Sequence, residues 1–191
     1  MDYSIEIIDI EFLGYSNVLE YVVDTDEYKV CESTVKYNHD GTVSHIEIND
    51  NIFAAKDPNI RKIMKEEMKK YIGKIVMSKS LNIAIHIEKD VPKEYAYSVS
   101  SKVYNKNTLK DKGNMITGIV DILENANHIY SSNNRKRKHI KDAPNGFAYY
   151  KVLVKMNNLK NPIFYSVRVV NRIDVDGNEC FYDIDNLTVI P

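Results

Sequence analysis

Cysteine and tryptophan are almost absent from this sequence of 191 residues. It has two cysteines, Cys31 and Cys180, and no tryptophan. The two cysteines lie far apart and fit no metal-ligand spacing, so we interpret them as buried thiols of a reducing compartment, with a single disulfide left open. We predict no metal site and no cofactor.

Long apolar runs and glycine are also scarce. No stretch approaches the roughly 18 apolar residues of a membrane helix, and the first twelve residues, MDYSIEIIDIEF, are acidic where a secretory signal is basic. There are 7 glycines, and no P-loop, dinucleotide-binding glycine pattern, paired-histidine zinc motif or nucleophile elbow. These absences predict a cytoplasmic protein that does not enter a membrane. They leave histidine, lysine, arginine, serine, tyrosine and the acids for any catalysis.

Charge is abundant and segregated, although the net charge is only −1. Residues 1–60 hold 13 acids and 3 bases, a net −10, and residues 61–170 hold 22 bases and 9 acids, a net +13. Residues 171–191 hold 1 base and 5 acids, a net −4. A basic middle between acidic ends favours a polyanionic partner, for which RNA is our first choice. The alternative is chance clustering on solvated faces, with the acidic ends lying over the basic middle.

The apolar pattern predicts an α+β fold with N-terminal hairpin strands, two to three helices and a C-terminal antiparallel β-meander. Asn38-His39-Asp40-Gly41 predicts the first hairpin turn. Helices are predicted over Asp57–Ile72, Lys93–Tyr104 and Asn114–Ile129, a polar loop over Lys106–Gly113, and a hairpin over Lys74–Ser78 and Asn82–Glu88. The meander is predicted over Phe147–Met156, Ile163–Val175 and Cys180–Val189. We place an acidic N-terminal segment at residues 1–45 and the α+β domain at residues 46–191.

The densest cation cluster is the run Arg135-Lys136-Arg137-Lys138-His139, with Lys141 just after it. In a loop beside a sheet, these cations could grip phosphates, each contact adding salt-sensitive affinity. Neighbouring cations would lower the pKa of His139, which suits a base near neutral pH. The alternative is a solvated loop carrying an ordinary histidine.

Two further groups could contact a nucleic acid. On the polar faces of the predicted meander, Tyr149 lies with Lys151, and Arg168 is exposed on the next strand, so that a base could stack beside cations. At the start of a predicted helix, Lys93, Glu94 and Ser98 supply a cation, an acid and a hydroxyl, the last two on one face, which could surround a phosphate. The alternative for Tyr149 is ordinary packing. The alternative for Lys93, Glu94 and Ser98 is a capped surface helix.

A series of short segments resembles the barnase–EndoU–colicin–RelE-like nuclease domains, especially those of phage polyproteins and polymorphic toxins. The segments are Ile83–His86, Lys93-Glu94 with Ser98, Ile119–Ala126, Phe147–Lys151, Phe164–Val167 and Phe181–Asp183. The resemblance implies metal-independent RNA cleavage, with Lys93 and Glu94 matching the family's lysine–glutamate and with His139, Glu94 and Ser98 as catalytic residues. It also implies a neutralising antitoxin or immunity protein as partner.

Three functions therefore remain open at this point. The first is a metal-independent, toxin-like ribonuclease, in which one group takes the proton of the ribose 2′-hydroxyl and another protonates the leaving oxygen. The second is a non-catalytic module of a phage or mobile-element protein that binds nucleic acid or protein. The third is an immunity-type protein, which the basic middle disfavours.

Overall fold

The computed structural model describes residues 33–49, 53, 57–134, 141, 143–157 and 162–190, which form one mixed sheet with helices packed into its buried face. The helices in this part are α1 (Ile60–Lys69), α2 (Val91–Tyr97), α3 (Val99–Val103), α4 (Lys106–Asn114) and α5 (Ile119–Asn125). The strands are β1 (Ser33–Tyr37), β2 (Val43–Ile48), β3 (Ile75–Ser78), β4 (Ile83–His86), β5 (Asn127–Ser132), β6 (Phe147–Met156), β7 (Ile163–Ile173) and β8 (Glu179–Ile190).

Seven of the eight described strands follow the order β1-β2-β6-β7-β8-β4-β3, and the eighth, β5, pairs with β6. The β2–β6 and β4–β8 pairs are parallel, and the other pairs are antiparallel. One edge of β6 therefore has two neighbours, with β5 along its first half and β2 along its second half.

The α+β class and the three predicted hairpin regions are confirmed. The first turn closes with a hydrogen bond from Asn38 N to Thr42 O of 2.8 Å, and Gly41 takes the positive φ of 81° that glycine tolerates without strain. β3 and β4 form the second hairpin, and β6, β7 and β8 form the C-terminal meander. Strong turn signals and β-branched runs were enough to find these elements.

The predicted order and number of helices were wrong. Five helices are present in the described ranges instead of two to three. The hairpin β3–β4 lies between α1 and α2, and β5 lies between α5 and the meander. The predicted polar loop Lys106–Gly113 is α4, and the predicted helix Asn114–Ile129 is α5 followed by β5. The first helix begins at Ile60 with Asn59 as its N-cap, two residues later than the predicted N-cap Asp57.

The meander is part of a larger sheet, because β2 joins β6 in parallel and pairs Ile46 with Val154. β2 spans the predicted boundary between residues 45 and 46. No helix in the described ranges is both long enough and apolar enough to cross a bilayer.

The core lies between the helices and the inner face of the sheet. The alternation in β6 buries Tyr150, Val152 and Val154 together with Ile46 of β2 and Met64 of α1. Side chains of α4 and α5 complete this layer, including Leu109, Ile119, Ile122 and Leu123. The opposite face of β6 and β7 is left for polar and aromatic side chains.

The buried carboxyl of Asp111 makes the stability of the protein depend on pH. Tyr165 of β7 donates a hydrogen bond of 2.6 Å to Asp111 of α4, and burial raises the pKa of this carboxyl above its ordinary 3.8. A carboxyl with a raised pKa in the folded state stabilises the protein below 3.8 and loses that contribution as pH rises through the raised value. We therefore expect the free energy of unfolding of the wild type to fall, relative to that of Asp111→Asn, as pH rises above 3.8.

Urea unfolding of both proteins across this pH range measures the difference, with the exposed Asp176→Asn as the control. Parallel stability curves for the wild type and Asp111→Asn would contradict the prediction.

Candidate nucleic-acid interface

The outer face of β5, β6, β7 and β8 carries an ordered row of polar side chains. Because paired residues project from the same face, the registers align Asn127, Lys151, Arg168 and Asn186 across the four strands. Asn127, Lys151 and Asn186 are exposed. Within the described residues, the side chains of Asn127 and Lys151 have no hydrogen bond or ion pair. These groups are therefore available to a ligand.

An aromatic pair lies beside this row, one step along the strands. The rings of Tyr130 and Tyr149 are stacked, with centroids 4.6 Å apart and planes 19° from parallel. The guanidinium carbon of Arg168 lies 5.6 Å from the centroid of Tyr149. Tyr130 is 45% exposed, so a flat apolar group can reach the outer side of the pair. We call the row of Asn127, Lys151, Arg168 and Asn186, together with Tyr130 and Tyr149, the outer platform.

The guanidinium of Arg168 is oriented by Asp185. Its Nε and one terminal nitrogen donate to the two carboxylate oxygens at 2.7 and 2.9 Å. This bidentate pair raises the pKa of Arg168 above its ordinary value and fixes the plane of the group next to Tyr149. Since Asp185 offsets its charge, Arg168 supplies a flat surface, and Lys151 supplies a positive charge that no described residue pairs with.

Glu94 lies at the Phe147 end of the same face. The ring of Tyr182 meets that of Phe147 edge-on, with centroids 5.8 Å apart, and its hydroxyl donates to Glu94 Oε2 at 3.3 Å. Lys93, the neighbour of Glu94 on α2, is exposed. The structure therefore brings Glu94 to the face that carries Tyr149, Lys151 and Arg168.

The residues of the predicted basic run, Arg135, Lys136, Arg137, Lys138 and His139, lie outside the described residues. The chain on its two sides is fixed, since Ser132 pairs with Phe147 and Asn134 donates to Ala143 O at 3.0 Å. Gly146 has a φ of 98°, and a Cβ there would come within 2.0 Å of Ser132 O, so only glycine closes this connection. Lys141 is exposed.

Ser98 is placed differently from the prediction. The predicted helix Lys93–Tyr104 is interrupted at Ser98, whose ψ of 164° ends α2 and whose Oγ caps α3 by accepting from Ser101 N at 3.2 Å. The prediction that Glu94 and Ser98 share one helical face was therefore wrong. Serine favours the cap because its hydroxyl satisfies a backbone N–H that would otherwise lack a partner.

A buried ionic cluster around Ser98 was not predicted. Lys112 Nζ lies 2.5 Å from Asp183 Oδ1 and 2.8 Å from Ser101 Oγ, and it lies over the ring of Tyr95 at 4.5 Å from the centroid. Burial lowers the pKa of Lys112 and raises that of Asp183, while their mutual attraction opposes both changes. The burial of Asp183 could have been predicted, since strand alternation puts it on the same face as Phe181.

Comparisons with protein-family models, with curated proteins and with solved structures gave no match. Among the residues with described positions, no group of three or more histidine, cysteine, aspartate or glutamate side chains could hold a metal ion.

Proposed function

We propose that this protein binds single-stranded RNA on the outer platform. The observation that carries the proposal is the stacked pair Tyr130–Tyr149 beside the ammonium of Lys151, which has no ion-pair partner among the described residues. Unpaired bases stack on exposed aromatic rings, and cations alongside them hold the phosphates. A duplex has its bases stacked internally, so a flat aromatic surface favours a single strand.

RNA is favoured over DNA by the polar groups that flank the cations. The amides of Asn127 and Asn186 stand at the two ends of the row, next to Lys151 and Arg168. Each amide has a donor and an acceptor, and the ribose 2′-hydroxyl can pair with either. A DNA oligonucleotide lacks that hydroxyl, so it serves as the matched ligand control.

Lys151→Gln tests the electrostatic part of the proposal. In a fluorescence-anisotropy titration with a labelled 12-nucleotide RNA, we expect weaker binding and a plot of log K against log salt that is less steep by about 0.7. Lys62→Gln, a change of an exposed lysine on α1, should alter neither the affinity nor the slope. No binding by the wild type, or equal losses in both variants, would refute RNA binding at this face.

Metal-independent RNA cleavage is the second candidate function. The observation that favours it is the position of Glu94 at the end of the outer platform where the connection carrying His139 joins β6. In this reaction the 2′-oxygen attacks the phosphorus and the bond to the 5′-oxygen breaks. His139 takes the proton of the 2′-hydroxyl, an acid protonates the leaving oxygen, and a 2′,3′-cyclic phosphate results.

An RNA degradation assay containing EDTA separates cleavage from binding alone. We expect cleavage by the wild type and a loss of at least about 100-fold in both His139→Ala and Glu94→Ala, since general acid–base groups contribute about that much or more. Ser98→Ala belongs in the same series, and the exposed Glu66→Ala is the control. If the wild type leaves the RNA intact, the protein binds RNA without cleaving it. If both variants cleave as fast as the wild type, His139 and Glu94 are not catalytic residues.

A toxin role, with a neutralising partner, predicts that expression of the wild type slows cell growth. The double variant His139→Ala/Glu94→Ala should restore growth at an equal protein level. Normal growth with the wild type would argue against a toxin.

A further inference from the structure

A cleft opens beside the outer platform, between the strands that share one edge of β6. The registered pairing of β5 with β6 ends at Lys151, and that of β2 begins at Val154. Val152 and Leu153 lie between these points. The cleft has a volume of about 540 Å³, within the range of small-ligand sites.

The walls of the cleft combine apolar surface with a few polar groups. Val43, Ile129 and Leu153 supply aliphatic surface, while Asn127 and Lys151 supply an amide and an ammonium at its rim. The amide of Asn125 is already engaged, since it accepts from Lys79 Nζ at 3.0 Å and donates to Asp121 O at 2.9 Å. Ser44 Oγ pairs with His45 Nδ1 at 3.1 Å, and His128 Nε2 pairs with Ser131 Oγ at 3.0 Å. Among the described residues, Asn127 and Lys151 are therefore the polar lining side chains without a hydrogen bond or ion pair.

This composition fits a nucleobase attached to a phosphate. Aliphatic walls accept the faces of a flat ring, a side-chain amide can pair with donors and acceptors on the ring edge, and an ammonium binds a phosphate as a point charge. A purely apolar ligand would leave Lys151 and Asn127 unused. An inorganic anion would leave the aliphatic walls unused.

The cleft adjoins the aromatic pair Tyr130–Tyr149 through Lys151. Lys151 lies two residues from Tyr149 on the same face of β6, and it lines the cleft. A phosphate held by Lys151 thus has a stacking ring on one side and the cleft on the other.

We propose that this cleft binds one nucleotide of the RNA, with its base between the aliphatic walls and its phosphate at Lys151. This inference rests on the proposed function, and it adds that a free nucleoside monophosphate also binds. The cleft is a base-sized subsite, and the stack Tyr130–Tyr149 holds the neighbouring base.

The test uses the full chain and the four nucleoside monophosphates. We expect at least one of them to bind at millimolar concentration or tighter in amide-detected NMR titrations, with the largest shifts at Asn127, Val152 and Leu153. Leu153→Trp fills the cleft from a partly exposed position and should weaken this binding at least 10-fold. Ile75→Trp, on the strand at the opposite edge of the sheet and 61% exposed, should leave it unchanged.

The outcomes separate the two proposals. Monophosphate binding that Leu153→Trp abolishes supports the cleft, even if oligonucleotide binding at the aromatic pair fails. Oligonucleotide binding without monophosphate binding, or with equal monophosphate binding in Leu153→Trp, overturns the cleft and leaves the outer platform intact. Far-UV circular dichroism of each variant confirms that a loss of binding does not come from unfolding.

Discussion

Lys112→Ala is expected to lower the free energy of unfolding by about 3–5 kcal/mol, because the substitution leaves the carboxylate of Asp183 buried without its partner. Lys112 is fully buried, and the side chain of Asp183 is 3% exposed. Removal of the ammonium also breaks its hydrogen bond to Ser101 and its contact with the ring of Tyr95. Urea unfolding followed by circular dichroism measures the change.

Two variants show whether the loss comes from the unpaired charge. The exposed Lys106→Ala, on the same helix, should change stability by less than about 0.5 kcal/mol. The double variant Lys112→Met/Asp183→Leu removes both charges and should recover most of the loss, because two apolar groups of similar size leave no charge buried. A double variant less stable than Lys112→Ala would show that packing of the four-carbon stem dominates.

Tyr149→Ala is expected to weaken binding of single-stranded RNA by about 5- to 150-fold, the equivalent of about 1–3 kcal/mol for one stacked base. Tyr149 contributes its ring to the stack with Tyr130 and to the contact with Arg168, so both are lost together. Tyr149→Phe retains the ring and should bind within about 2-fold of the wild type. Fluorescence anisotropy with the same 12-nucleotide RNA provides the measurement.

The salt dependence of RNA binding distinguishes the loss of stacking in Tyr149→Ala from the loss of charge in Lys151→Gln. Because stacking releases no counterions, the slope of log K against log salt should be the same for Tyr149→Ala and the wild type. Lys151→Gln should change that slope. If Tyr149→Ala binds normally while Lys151→Gln does not, RNA contacts the cations and not the aromatic pair.

Local signals in the sequence were sufficient for the hairpins and the meander, but not for β5. The meander was predictable because β-branched and aromatic residues alternate with polar ones and because Asp176-Gly177 marks a turn. That same alternation placed Tyr149, Lys151 and Arg168 on the polar face, as the structure shows. It could not show that Asp185 pairs with Arg168, since a bulge in the β7–β8 register lies between Arg168 and Val169.

The helices were harder to predict because tertiary contacts outweigh local propensity in two of them. α4 has a polar sequence, KNTLKDKGN, yet Asp111, Lys112 and Asn114 are buried and paired with groups from other parts of the chain. In the segment predicted as one helix over Asn114–Ile129, the apolar spacing continues to Ala126. Pairing with β6 then makes Asn127–Ser132 a strand.

The ionic cluster illustrates a limit of a different kind. A lysine in a polar stretch is expected to be exposed, and only the fold brings it next to Asp183, 71 residues further along the chain. Ser98 was singled out as a reactive hydroxyl. Its Oγ lies 3.5 Å from Lys112 Nζ and accepts from Ser101 N. The position of this serine at the start of a helical segment is therefore explained in part by its role as the N-cap of α3.

The parallel pairing of β2 with β6 has a consequence for synthesis on the ribosome. Lys155 and Glu47 are joined by a hydrogen bond of 2.6 Å across 108 positions of the chain. The β1–β2 hairpin therefore emerges long before the strand that covers its edge, and an isolated two-stranded hairpin is at best marginally stable in water. The hairpin contacts α5 through Ser33 and Asp121, but the free edge of β2 acquires its strand neighbour only after β6 has emerged from the ribosome. Nascent chains from which β6 has not emerged should therefore expose that edge to chaperones.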